Sequence, residues 1–220
     1  MTTTETATRK QYTLTDARRE FIRHPTPWVL LAVTLGGAIS WAALGEGRLS
    51  DLLVPAIMIA AFPFYEWVIH VMVLHWRPKK IFGVKVDSLL ARKHREHHAN
   101  PKQIELIFIP TPTIIWLVPG TVLISVFAFP TLSSGLTYLA FAGLLGLNYE
   151  WIHFLVHTDY KPKSWVYRAV YRNHRNHHFK NEHYWFSVTS SGISDRVLGT
   201  FPDPSSVPTS PTAKALHAGV

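Results

Sequence analysis

Four apolar stretches organise the chain: 27–44, 52–76, 104–130 and 135–157. None contains a Lys or an Arg. A bilayer core needs about 20 helical residues, and each stretch is of that order. In lipid only a helix satisfies its own backbone at this length, so the pattern predicts four transmembrane helices. Pro110, Pro112 and Pro119 interrupt the third stretch, which predicts that its first half lies at the interface or breaks before the span proper. The first stretch is long for a signal-peptide core, and residues 40–47 make a poor cleavage site, so it reads as a span. Residues 1–26 are polar and basic. Within them, 14–24 are patterned as a short amphipathic helix for a membrane surface, and residues 1–12 read equally as a flexible terminus. Residues 202–220 are rich in Pro, Ser and Thr and read as an extended or disordered end.

Composition agrees with this reading. Hydrophobic residues make up 47% of the 220 and charged residues only 16%, against about 25% charged in a soluble domain. There is no Cys, which excludes disulfides, thiolate metal sites and Cys nucleophiles. The 22 Lys and Arg are distributed by side: five in residues 1–26, eight in 77–103, eight in 158–220, and a lone Arg48 in the link 45–51. The positive-inside rule then places both termini and the two long basic segments in the cytoplasm. The net charge of +8 becomes a charge facing anionic lipid rather than nucleic acid, for which no motif is present. The expected architecture is all-α: an integral-membrane four-helix bundle with a cytoplasmic histidine-rich helical cap. Its parts are a basic N-terminal segment (1–26), a four-span domain (27–200) whose cap is 77–103 and 158–200, and a Pro/Ser-rich tail (201–220).

Histidine changes the picture most. Eleven of the 13 fall between His70 and His183. His70 and His75 end the second span; His94, His97 and His98 form H-x2-HH just beyond it. His153 and His157 end the fourth span; His174, His177 and His178 form a second H-x2-HH. On a helix, positions i, i+3 and i+4 share a face, so each H-x2-HH aims its imidazoles one way. His70 and His75 lie about 140° apart on an ideal α-helix, so they either flank two metals or sit across a local distortion. The pattern is also doubled: Tyr65-Glu66-Trp67 precedes the first pair and Tyr149-Glu150-Trp151 the second, which suggests two similar halves. All ten imidazoles fall at one membrane face.

Imidazole suits Fe, Zn, Cu and Ni, and ten exceed one ion's needs, so the set predicts two metals with about five ligands each. His183 is a further candidate ligand; His24 and His217 lie outside the pattern. Glu66 and Glu150 sit about 13 Å and 10 Å deeper than the ends of their His pairs. Carboxyl groups at that depth usually mark function. Three readings stand: each accepts a hydrogen bond from a ligand imidazole, or one ligates directly, or each simply bonds a neighbouring helix. Gly36, Gly37, Gly143 and Gly146 suit close helix packing. Trp67, Trp76, Trp151 and Trp165 suit interface anchors. No nucleotide-binding glycine motif and no Ser-His-Asp arrangement is legible. Two classes of function compete: an O2-dependent oxygenase acting on lipid, and a histidine-rich metal-binding membrane protein without oxygenase activity. A carrier needs a polar path to the other face, and the outward halves of the spans are apolar. A bis-His haem protein leaves the H-x2-HH clusters without a role.

The residues His70-Val71-Met72-Val73-Leu74-His75, His94-Arg95-Glu96-His97-His98, His153-Phe154-Leu155-Val156-His157 and His174-Arg175-Asn176-His177-His178, in that order over about 52–200, resemble the integral-membrane fatty acid hydroxylase and sterol desaturase superfamily. Val188-Thr189-Ser190 and Asp195 to Thr200 resemble its closing segment. Where members show a glycine-rich G-x-G-V-T-S-P-x-W-D pattern, this chain has Trp185-Phe186-Ser187 and Ser191-Gly192-Ile193-Ser194, a difference at the substrate mouth. The resemblance implies a non-haem di-iron oxygenase whose ten His hold two iron ions, with zinc as an alternative occupant. It implies O2 as co-substrate and hydroxylation of a fatty acyl or sterol-like lipid, with desaturation or carotenoid ring hydroxylation as the alternatives. It also implies electrons from an external cytochrome b5-like protein, ferredoxin or reductase. The acyl chain is expected along the Pro-rich third span, and the oligomeric state is open.

Overall fold

The computed structural model describes residues 12–217; the basic residues Arg9 and Lys10, and the terminus expected to be flexible, lie outside them. Four helices are long and apolar enough to cross a membrane. The first is α2 (Pro25–Leu44), preceded by the short α1 (Leu14–Phe21). The second is α3 (Leu53–Val68), which continues without a break into a π-helical turn, Ile69–Leu74. A two-stranded antiparallel hairpin, β1 (Lys79–Ile81) and β2 (Val84–Val86), follows, and is an addition to the purely helical expectation. Then come α4 (Leu89–Ala99), α5 (Thr111–Phe127), α6 (Leu132–His157), α7 (Trp165–Phe179) and the short α8 (Ile193–Val197).

Local chemistry sets these boundaries. Side chains of Thr13, Ser88, Thr131 and Ser164 accept the backbone N–H three residues on and start α1, α4, α6 and α7. Pro25 opens α2, where a missing N–H costs nothing. The third span breaks as its prolines predict: a 3-10 turn at Ile104–Leu106 ends before Pro110, and α5 starts only at Thr111.

The spans present apolar side chains outward, among them Ile57, Trp116 and Phe127, a surface that lipid and not water would cover. Inside, α2 and α6 pack closely through glycine. A Cβ on Gly143 would lie 2.6 Å from Thr34 Oγ1, and one on Gly37 2.5 Å from the Ala140 nitrogen. Small residues at such a crossing are what bilayer helices use where hydrophobic driving force is absent.

Two terminal segments pack differently from the expectation. Rather than meeting lipid with its apolar side, α1 buries Ala17 and Phe21 against Ile107, Phe108, Phe154 and Leu155, with Phe21 edge-on to Trp151 at 5.0 Å. The tail, expected to be extended or disordered, folds back over α4 and α7 and buries Val207, Ala213 and Leu216.

Candidate metal centre

The ends of α3 and α6 and the helices α4 and α7 bring the ten histidines together. They form two groups of five: His70, His75, His94, His98 and His177; and His97, His153, His157, His174 and His178. In each group one ring nitrogen per residue lies within 4.8 Å of all the others. Each group takes two rings from its own span, two from its own cap helix, and one from the opposite cap helix. The H-x2-HH clusters therefore do not aim three rings at one point. Residues i and i+4 serve one group, and i+3 crosses to the other. The groups share a wall, where His98 stacks on His178 at 4.1 Å.

The H-x4-H pair is resolved by the π turn. The His75 N–H donates to the His70 carbonyl at 2.9 Å, an i→i+5 bond, so His75 follows His70 by one full turn. The local distortion, rather than separate metals, is what allows the spacing. The H-x3-H pair His153 and His157 needs none and lies on regular α-helix.

Four rings are held by backbone carbonyls. Nδ1–H donates from His70 to Phe186 (2.5 Å), from His98 to Ala213 (2.9 Å), from His153 to Ile107 (2.9 Å) and from His177 to Tyr184 (2.8 Å). A carbonyl only accepts, so the proton of these neutral rings is on Nδ1 and Nε2 offers a lone pair. Yet Nε2 atoms face one another: His70 and His98 each approach His94, at 3.1 and 3.2 Å, and His75 approaches His177 at 3.1 Å. In the other group His157 approaches His97 and His174 at 3.1 and 2.9 Å, and His178 approaches His174 at 3.1 Å. The buried Nε2 of His153 has no hydrogen-bond partner. One proton cannot satisfy two contacts at a shared nitrogen, so convergent lone pairs on this scale fit a cation at each centre. Burial pushes His94, His97, His98, His174, His177 and His178 below the ordinary His range, His98 to about 3. Neutral imidazole is the form that ligates.

Glu66 and Glu150 do not receive their hydrogen bonds from ligand rings. Glu66 accepts from the backbone N–H of Val188 (2.9 Å) and Thr189 (2.6 Å) and from the hydroxyls of Thr189 and Ser190. Glu150 accepts from the Ile109 N–H and the Thr26 hydroxyl, both at 2.9 Å. The reason is geometric. Each Glu lies about one helical turn before a ligand His on the same face. The ring takes the carbonyl of loop residue n, Phe186 or Ile107, and the carboxyl group takes the N–H of residue n+2, Val188 or Ile109. The same clamp occurs twice, and it accounts for the Glu of the repeated Tyr-Glu-Trp.

Three features were not read from the sequence. Asp195, fully buried, accepts from the N–H groups of Phe186 and Ser187 at 2.9 and 2.8 Å; with Glu66 it pins four successive amides of the loop that orients His70. The Asp195–Thr200 stretch was the only signal. The tail carbonyl of Ala213 is a main-chain group with no signature. The third feature is a cavity of about 460 Å³ between α2, α3, α5 and α6. His183, the further candidate ligand, joins neither group. Its side chain is 69% exposed beside Glu182. His24 stacks on Phe108, and His217 donates to the His75 carbonyl.

Fold and site together define a helical membrane protein with two five-histidine groups that can each hold a metal ion. The chain belongs to the fatty acid hydroxylase family, which it matches over residues 55–200. It is similar to two proteins of Arabidopsis thaliana. One is dihydroceramide fatty acyl 2-hydroxylase FAH2, 26% identical over 184 residues that cover 81% of this chain and 72% of that protein. The other is dihydroceramide fatty acyl 2-hydroxylase FAH1, 30% identical over 154 residues, 68% of this chain and 62% of that protein. Its fold is similar to that of full-length Scs7p, in which only the hydroxylase domain is visible: the TM-score is 0.68 at 21% identity, over 84% of this chain and 68% of that one. The protein is thus an integral membrane protein of the lipid-hydroxylase class.

Proposed function

We propose that the protein hydroxylates the fatty acyl chain of a membrane lipid close to its carbonyl end. In this reading it uses O2, two iron ions and electrons from a separate donor protein, at the cytoplasmic face. One observation carries the reading: an apolar cavity is lined in part by residues adjacent in sequence to the histidines. Val73 and Leu74, between two ligands, line one end of it, and Met58, Thr121 and Tyr138 line the other. From Tyr149 to Tyr138 it follows α6 for about 16 Å. A volume of this size is ordinary for a ligand pocket, usually about 300–1,000 Å³.

An acyl chain entering methyl end first leaves its head beside the cap and a carbon near the carbonyl beside the histidines. The 2-hydroxylase names of the Arabidopsis relatives agree with that position. When bound, the iron pair supplies the O2 activation that an unactivated C–H bond needs. The chain contributes the rest. The carbonyls of Phe186, Tyr184, Ile107 and Ala213 hold ring tautomers, the cavity wall excludes water, and the long cavity aligns the substrate. The distribution of Lys and Arg supports the cytoplasmic side for the site and both termini.

The test is a comparison of lipid extracts, by mass spectrometry, from cells making the intact protein, a His97→Ala/His98→Ala variant and an Ala142→Phe variant. Ala142 lines the cavity midway along α6. The expected result is a lipid heavier by one oxygen atom with the intact protein, none with the histidine variant, and a shift to shorter acyl chains with Ala142→Phe. The same oxidised lipid from the histidine variant would refute the assignment.

A further inference from the structure

Residues 201–217 lie beyond the family match at 55–200, yet they touch the metal centre. The segment is tied down over the loop after α7. The Ser210 N–H donates to the Lys180 carbonyl at 2.7 Å, the Asn181 side chain donates to the Pro208 carbonyl at 3.3 Å, and the Thr212 hydroxyl donates to Glu182 at 2.5 Å. Its own Ala213 and Leu216 are buried. Two further bonds reach metal-site residues: His98 Nδ1–H donates to the Ala213 carbonyl at 2.9 Å, and His217 Nε2–H donates to the His75 carbonyl at 3.1 Å. His98 and His75 belong to the same group of five. Among the described residues, the hydrogen bonds of this segment reach no member of the other group.

We propose that residues 208–217 are a positioning strap for one metal only, the ion held by His70, His75, His94, His98 and His177, and that the Ala213 carbonyl is its working group. This inference rests on the two-metal reading above. The carbonyl fixes the His98 proton on Nδ1 and turns the Nε2 lone pair inward. Without it the ring is free to rotate and to take the other tautomer, in which Nε2 carries the proton and cannot ligate. Loss of such an outer hydrogen bond typically weakens metal binding about 10–100-fold. The other group has no such dependence, because His153 is held by Ile107 and no ring of that group by the tail.

The experiment uses zinc alone as the probe, on purified protein in detergent, with zinc per chain and affinity read against a competing chelator. Three proteins are compared: the intact chain, a chain ending at Val207, and a full-length Thr212→Val variant that loses the Glu182 tie. The strap predicts two ions on the intact chain. On the truncated chain, one ion is unchanged and one is about 10–100-fold weaker, and a synthetic peptide of residues 208–220 restores it. Thr212→Val weakens the same single ion to a smaller degree. Should the truncated chain lose both ions through misfolding, the Thr212→Val result decides. Two ions of unchanged affinity in both variants, or equal weakening of both ions in Thr212→Val, overturns the strap. Failure of the two-metal reading shows separately, as fewer than two ions on the intact chain, and overturns the inference with it.

Discussion

Four of the ten histidine rings, those of His70, His98, His153 and His177, depend on a backbone carbonyl, a group fixed by backbone position rather than by side-chain type. His70 faces the Phe186 carbonyl because the loop 186–189 is held on both sides, by Asp195 and by Glu66. Glu66 is therefore a positioning residue. Glu66→Gln retains an acceptor for the Val188 and Thr189 amides and turns its NH2 toward the two hydroxyls, so zinc content should stay near that of the intact protein. Glu66→Leu leaves two buried amides unpaired, at about 1–3 kcal/mol each, and should lower binding at the His70 group. Zinc titration of the two variants checks this. Equal loss in both would make the carboxyl charge, or direct ligation, the operative property.

Helices carry the pattern but not its partition. The convergence of ten histidines and their grouping five and five were legible because imidazole clusters at helical spacing have few other uses. The exchange of His97 and His177 between groups was not legible, because i, i+3 and i+4 all fall within an arc of about 100° on one helix and tertiary docking decides which centre each meets. Nor was the choice of a π turn over two flanking metals for His70 and His75. The basic N-terminal helix was legible as a helix from the amphipathic pattern of 14–24; its burial against Phe108 and Phe154 was not.

The cap helices α4 and α7 also imply a pH dependence. An unfolded chain protonates each imidazole near pH about 6.5. In the folded cap, burial keeps these rings neutral to much lower pH, His98 to about 3. Between these values the unfolded state binds more protons, so stability falls as pH falls. The metal-free protein should have its full stability above about pH 7 and lose it progressively below about pH 6.5. Thermal unfolding in detergent over that range checks the sign. A midpoint that rises on acidification would contradict it.

At the scale of the whole molecule, four spans enclose an apolar cavity lined in part by sequence neighbours of the two five-histidine groups. The spans were legible from apolar length and absent Lys and Arg; the cavity was not, because it is made by the spacing between helices and not by any one of them. The tail was misjudged for a related reason. Its composition suits an extended chain, and its contacts are mostly main-chain groups that composition does not encode. What unites the cavity, the cap and the clamps in the proposed reading is a pair of five-histidine groups that could each hold a metal ion. The most direct measurement is therefore the metal content of the purified full chain after loading with iron, with its optical spectrum. The account predicts two irons per chain, no Soret band, and loss of iron in His97→Ala/His98→Ala. A single iron per chain, or a Soret band, would contradict it.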